Sequence, residues 1–221
     1  MIMETDRKWI IVRIDGKIAS ISTDYRQLAA ITAKLALTTA ADAKAYKGIA
    51  ADTESICAET VTFEEVWNLR RSTAWDDLML FGTDFQKRVW KKLWELTHLS
   101  EAETEIPGQA GNDGGSPVRL VSYTEFAEFC KNKAGVRAVA HAIGLNPVSV
   151  IIPCHLVVPK EAIDKIGDIK KKAEATIFKG DDLCMESLLK DTSIDFGEYS
   201  LGNDLKRRLI QMEFEAVNDG L

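Results

Sequence analysis

The sequence predicts a mixed α/β (α+β) protein in two parts: a small N-terminal α/β domain over residues 1–80 and a mostly helical domain over residues 81–221. Three observations predict it. Residues 8–22, KWIIVRIDGKIASIS, place two β-rich runs around Asp15-Gly16, a favoured tight-turn dipeptide, and so read as a hairpin. Residues 81–96, FGTDFQKRVWKKLWEL, put Phe85, Val89, Leu93 and Leu96 on one stripe with Trp90 beside it, the pattern of an amphipathic helix. Residues 122–144 then join two helical runs through a short turn. A chain of 221 residues that is 46% hydrophobic can bury a real core and suits one or two domains.

The remaining elements follow in order. Residues 24–48 are Ala-rich with apolar positions at helical spacing, which predicts a helix. Residues 50–75 fit neither period cleanly. Thr83 or Asp84 is the expected cap of the helix over 81–96. Residues 98–117 form a polar, Gly-rich stretch, long for a compact domain, and read as a mobile or functional loop. Ser122 precedes SYTEFAEFCKN with Glu125 three residues on, a capping box. The small-residue run AGVRAVAHAIG ends at Gly144. This pair fits a helix-turn-helix, and on pattern alone it fits the commoner αα-hairpin as well. Residues 160–195 are rich in Lys, Asp and Glu with an apolar stripe, as a surface helical insertion would be. The last helix is expected over 201–217.

Charge and cysteine usage narrow the class. The net charge of −6 is not that of an obvious nucleic-acid binder, although local basic surface is compatible with it. The N-terminal MIMETDRKWIIVRI is mixed and charged, so no signal, membrane span or membrane partner is expected. Cys57, Cys130, Cys154 and Cys184 lie far apart without a CxxC pair, which argues against a disulfide scaffold. His98, His141 and His155 do not pair with them at ligand spacing, so no metal is expected. The expectation is a reduced, cytoplasmic protein.

The chemistry concentrates in residues 146–158, NPVSVIIPCHLVV. Free cysteine has a pKa of about 8.5, so about a few per cent is thiolate at neutral pH. A base that takes the proton, directly or through a water, raises that fraction. His155 is the neighbouring base, and a turn after Pro153 lets both side chains face one pocket. Asn146, Glu213 or Glu215 could orient the imidazole. The alternative is a cysteine buried as a small hydrophobe, a common fate for this residue type.

Four segments, FGTDFQKRVWKKL, VSYTEFAEF, VRAVAHAIGLNPVSVIIPCHLVV and GEYSLGNDLKRRLIQME, occur in the order found in the O6-alkylguanine-DNA alkyltransferases, also called methylated-DNA–protein-cysteine methyltransferases. The resemblance covers residues 80–159 and 196–215. It implies a ribonuclease-H-like or degenerate N-terminal domain followed by a winged-helix-like DNA-binding domain. It also implies an irreversible, single-turnover repair reaction without cofactor, in a cytoplasmic or nucleoid-associated monomer. The partner it implies is double-stranded DNA containing O6-alkylguanine, bound through its minor groove with the base flipped out. Cys154 resembles the alkyl acceptor, His155 the base acting through a water, and Glu213 the carboxylate that orients it. Asn146 resembles the residue bracing the turn before the active-site strand. Tyr123 resembles the tyrosine that rotates the nucleotide and donates a proton to the leaving guanine. Arg137 resembles the arginine that fills the gap in the duplex, on a recognition helix with Ala138; Ser122 falls with the DNA-binding residues. Val157, through its carbonyl, and Tyr199 and Ser200 resemble the parts holding the extruded base, with Lys206 following them.

The physics is consistent with those roles. A base whose O6 is to be dealkylated must leave the stack, and a cation in the gap offsets part of the lost stacking. Small residues such as Ala138, Ala140 and Ala142 would let a helix approach a narrow groove, or simply let it pack. The chain departs from the family pattern in four places. Leu156 replaces the usual arginine after Cys-His. His141 and Gly144-Leu145 stand in the recognition helix. The loop before Ser122 is long, and residues 160–195 are inserted before Tyr199. A non-catalytic reader of alkylated DNA would not need Cys154, which this chain keeps; a regulatory or sensor protein of the same fold is the other alternative.

Overall fold

The computed structural model describes residues 7–24, 56–98, 120–175 and 191–218, with side chains over 7–24, 56–98, 120–169 and 191–215. The helix expected over 24–48 and the loop over 98–117 lie essentially outside these residues. Among them the architecture is mixed α/β, with small sheets and six α-helices. They group into two compact units, one of residues 1–94 with 145–152, the other of residues 95–144 with 153–221.

In the first unit, β1 (Trp9–Ile14) and β2 (Lys17–Ser22) form the expected hairpin. Asp15 and Gly16 both take positive φ, 50° and 78°, the geometry a two-residue turn needs to match strand twist. The register shifts between Val12 and Arg13, so Ala19 is an extra residue in β2. β3 (Ile56–Val61) pairs antiparallel with β1, giving the order β2-β1-β3. Helix α1 (Phe63–Ser72) follows at once, capped by Thr62, whose hydroxyl accepts from Glu65 N at 3.2 Å while the Glu65 carboxylate accepts from Thr62 N at 2.7 Å. Within the unassigned stretch 50–75, the described residues thus form a strand and a helix. The signal that could have found them is this T-x-x-E box.

Helix α2 (Asp84–His98) starts after Thr83, which exchanges capping bonds with Gln86. Val89, Trp90, Leu93 and Leu96 are buried, and Phe85 half-buried, as the stripe predicts. Residues 145–152 complete this unit as a tight turn. Ile21 N donates to Pro147 O at 2.9 Å, and Ile152 N to Val148 O at 3.0 Å. Val150 sits at φ 79°, an outlier for a β-branched residue. Asn146 holds that turn at both ends: its Nδ2 donates to Ile152 O at 2.9 Å and its Oδ1 accepts from Val148 N at 3.0 Å.

In the second unit, β4 (Val121–Ser122) lies parallel to β5 (Val157–Val158). Helix α3 (Tyr123–Phe129) grows from β4 through the predicted Ser122–Glu125 capping box. A short 3₁₀ turn leads to α4 (Val136–Gly144), which packs Val139, Ala142 and Ile143 inward. After β5 come α5 (Lys160–Ala175), the helical part of the expected insertion, and finally α6 (Asn203–Asn218). No helix among the described residues is long and apolar enough to cross a membrane.

Candidate active site

Pro153 ends the turn of residues 145–152, and Cys154, His155 and Leu156 form one 3₁₀ turn, all three buried. That turn answers the question of neighbouring side chains. In a strand, Cys154 and His155 would face opposite ways; a 3₁₀ turn removes that alternation. Val157 N donates back to Cys154 O and closes the turn.

The opposing wall is α6. Leu205, Lys206, Leu209, Ile210 and Glu213 are its buried residues. Lys206 and Glu213 stand seven residues apart, two turns of a helix, so both come to one face. His155 Nε2 lies 2.9 Å from Glu213 Oε1, with both side chains wholly buried. A carboxylate only accepts, so Nε2 carries the proton and Nδ1 is the nitrogen that can receive another. Glu215, the other candidate, is exposed and accepts from Gln211 at 2.6 Å.

Lys206 is 1% exposed, and its ammonium donates to Val157 O at 2.9 Å and to Phe196 O at 2.6 Å. Burial holds it down at about 8, with the negative charges of Cys154 and Asp195 pulling it back up. That coupling is mutual, so the ammonium favours the thiolate form of Cys154. The Val157 carbonyl expected to hold a base already serves as a lysine acceptor, with one lone pair to spare.

Tyrosines flank the thiol. Cys154 Sγ lies 4.0 Å from the Tyr199 hydroxyl. Tyr123 is half-buried; burial pushes its hydroxyl above the usual range, and the charges of Cys154, Asp195 and Glu198 push it the same way. Gly197, at φ 78°, brings the chain so close that a Cβ there would stand 3.1 Å from Pro159 Cδ and 3.7 Å from the Tyr123 hydroxyl. Ser200, next to Tyr199, is exposed.

The remaining sequence candidates lie elsewhere. Asn146 acts within the turn upstream of Pro153. Arg137 and Ala138 are exposed on α4, as is His141. Ala142 is 1% exposed, so packing accounts for it. Ser122 is equally buried, and its hydroxyl is engaged with Glu125 at 2.8 Å, so the structure does not bring it to the surface. Sequence reasoning missed Arg207 and Asp195; the only signal for the former was the run Lys206-Arg207-Arg208.

Comparison with known proteins finds relatives for part of the chain. Residues 116–176 match the family model described as the 6-O-methylguanine DNA methyltransferase DNA-binding domain. The chain is 38% identical over 84 residues to a probable methylated-DNA–protein-cysteine methyltransferase of Acanthamoeba polyphaga mimivirus, covering 38% of this chain and 44% of that protein. With the methylated-DNA–protein-cysteine methyltransferase of Haemophilus influenzae it shares 36% identity over 80 residues, 36% of this chain and 34% of the relative. The chain therefore spans less than half the length of these curated relatives. A crystal structure of Mycobacterium tuberculosis OGT in complex with DNA aligns at a TM-score of 0.35 and 27% identity, over 62% of this chain and 54% of that one.

Proposed function

We propose that this chain, whose residues 116–176 belong to the 6-O-methylguanine DNA methyltransferase DNA-binding-domain family, repairs DNA by moving the alkyl group of O6-alkylguanine onto its own Cys154. The observation that carries the reading is the buried His155–Glu213 pair, set in the same turn as a buried cysteine. A buried carboxylate that fixes an imidazole is what a thiol needs beside it to lose its proton.

The steps balance. His155, through Nδ1 and an intervening water, takes the Cys154 proton. The Sγ electron pair attacks the alkyl carbon; the S–C bond forms as the C–O6 bond breaks, and that bond's electrons stay on the guanine. The guanine takes a proton from the Tyr123 hydroxyl, and the imidazolium restores a proton to the site. The products are a thioether and guanine, with no cofactor. Lys206 supports the thiolate before attack, and with Tyr199 and Ser200 belongs to the pocket for the extruded base. Arg137 and Ala138, exposed on α4, face the minor groove of the duplex, and the protein acts as a monomer. The thioether is stable, so each molecule turns over once.

Intact-protein mass after incubation with an O6-methylguanine oligonucleotide tests this. The expected gain is about 14 Da, one methyl on a thiol. No gain even with the oligonucleotide in excess over protein would overturn the reading.

A further inference from the structure

Residues 191–202 contain neither α-helix nor strand, yet this segment sets Tyr199 beside Cys154. Its backbone is held instead by cations. Arg207 Nη1 donates to Asp191 O at 3.3 Å and Nη2 donates to Ile194 O. The same guanidinium lies 4.8 Å from the centre of the Phe196 ring. Lys206 holds Phe196 O, and Lys165 of α5 donates to Ser193 O at 2.6 Å. The Asp191 carboxylate closes the turn by accepting from Ser193 N at 2.8 Å, and the charges of Lys165 and Arg207 help keep it ionised.

These ties are unequal. Lys165 is exposed and makes a single point contact, which water readily replaces. Arg207 is half-buried, and its planar fork spans two carbonyls three residues apart while stacking on a third residue. On the far side, a Cβ at Gly197 would meet Pro159 Cδ at 3.1 Å, so only glycine lets the backbone run this near to Pro159. The separation of 4.0 Å between the Tyr199 hydroxyl and Cys154 Sγ leaves no room for a carbon between them. Tyr199 therefore walls one side of the space beside the sulfur, and a larger alkyl group presses on that wall more than a methyl does.

We propose that Arg207 is a positioning residue which, by anchoring residues 191–196 to α6, fixes Tyr199 over Cys154 and so sets the size of alkyl group the site accepts. The inference rests on the alkyl-transfer reading. Its test measures transfer rates by intact mass for duplex oligonucleotides carrying O6-methylguanine or O6-benzylguanine, with wild type, Arg207→Ala and Arg207→Lys. Methyl transfer to Arg207→Ala should slow by about tenfold, the scale of a lost hydrogen bond to a charged group. Benzyl transfer should slow far less, so the benzyl-to-methyl ratio rises by about the same factor; Arg207→Lys, with charge but no fork, should lie between. An Arg207 that only stabilises the fold would slow both substrates alike, and an unchanged ratio overturns the proposal. Should the alanine variant fail to fold, a wild-type ratio in Arg207→Lys overturns it equally. Wild type that accepts neither group defeats the alkyl-transfer reading itself, and this inference falls with it.

Discussion

The turn at Cys154 and the outer face of α4 solve opposite problems. Around Cys154 the polar groups are buried and bonded to one another: His155 to Glu213, Lys206 to two carbonyls. On α4, Arg137, Ala138 and His141 are exposed on a helix whose other face is core. Burial strengthens each electrostatic contact and penalises each one lost, so the first region demands a complete set of partners within the chain. The second keeps its cation in water, where it costs little and can be given to a partner. Chemistry and recognition are therefore separable by substitution.

The largest effect belongs to the buried region. Cys154→Ala should abolish the mass gain from an O6-methylguanine oligonucleotide, while Cys57→Ala, Cys130→Ala and Cys184→Ala should leave it intact. Methylation persisting in Cys154→Ala would place the acceptor elsewhere. Next is the relay. His155→Ala should slow transfer by roughly 10²–10⁴-fold, the usual range for a general base. Glu213→Gln should slow it less, because thiol and imidazole remain. Rates equal to wild type for His155→Ala at neutral pH would mean that Lys206 alone activates the thiol.

A smaller effect, confined to one substrate, tests the exposed region. Arg137→Ala should slow transfer from duplex DNA by at least about tenfold, since flipping a base costs a few kcal/mol and the role proposed for the arginine is to offset part of it. Transfer from free O6-benzylguanine base needs no flipping and should hold its rate. A loss shared by both substrates would move Arg137 from recognition into the fold, and the comparison would break. The melting temperature should barely change, because the side chain is exposed.

Legibility in the sequence followed the range of the signal. The hairpin at Asp15-Gly16, the stripe of α2 and the Ser122–Glu125 box are set by residues a few positions apart, and pattern reading found them. Glu213 and Glu215 could not be separated that way, because the choice depends on which face of α6 meets the turn at Cys154, 58 residues away. Ala142 looked like Ala138, one turn earlier on the same side of α4, yet Ala138 near the start of the helix is exposed and Ala142 near its end is buried. The anchoring of residues 191–196 by Arg207 was invisible: side chain to carbonyl bonds leave no periodic trace, and an arginine on a late helix reads as solvated surface.

The smallest effect concerns stability, through Lys206. Its folded value of about 8 lies below its ordinary 10.5, because burial disfavours the ammonium more than Cys154 and Asp195 favour it. Between those values the unfolded chain binds the extra proton, so stability rises with pH, by up to about 1.4 kcal/mol per unit, and that gain is lost again as pH falls through about 8. Tyr123 acts with the opposite sign only above its ordinary 10.0, since its folded value is raised, and Arg70, held down at about 9 by burial, adds a rise of the same sign above that value; the clean window therefore runs from about 8 to 9. Urea unfolding of wild type and Lys206→Met across this window should show the slope in wild type and not in the variant. Repeating it in a Cys154→Ser background sharpens the result. Without the thiolate, one of the two charges supporting the ammonium is gone, and the rise should begin below pH 8. A rise that starts at the same pH in both backgrounds would show Lys206 and Cys154 to be uncoupled, and the buried region would then lack the electrostatic closure that sets it apart from α4.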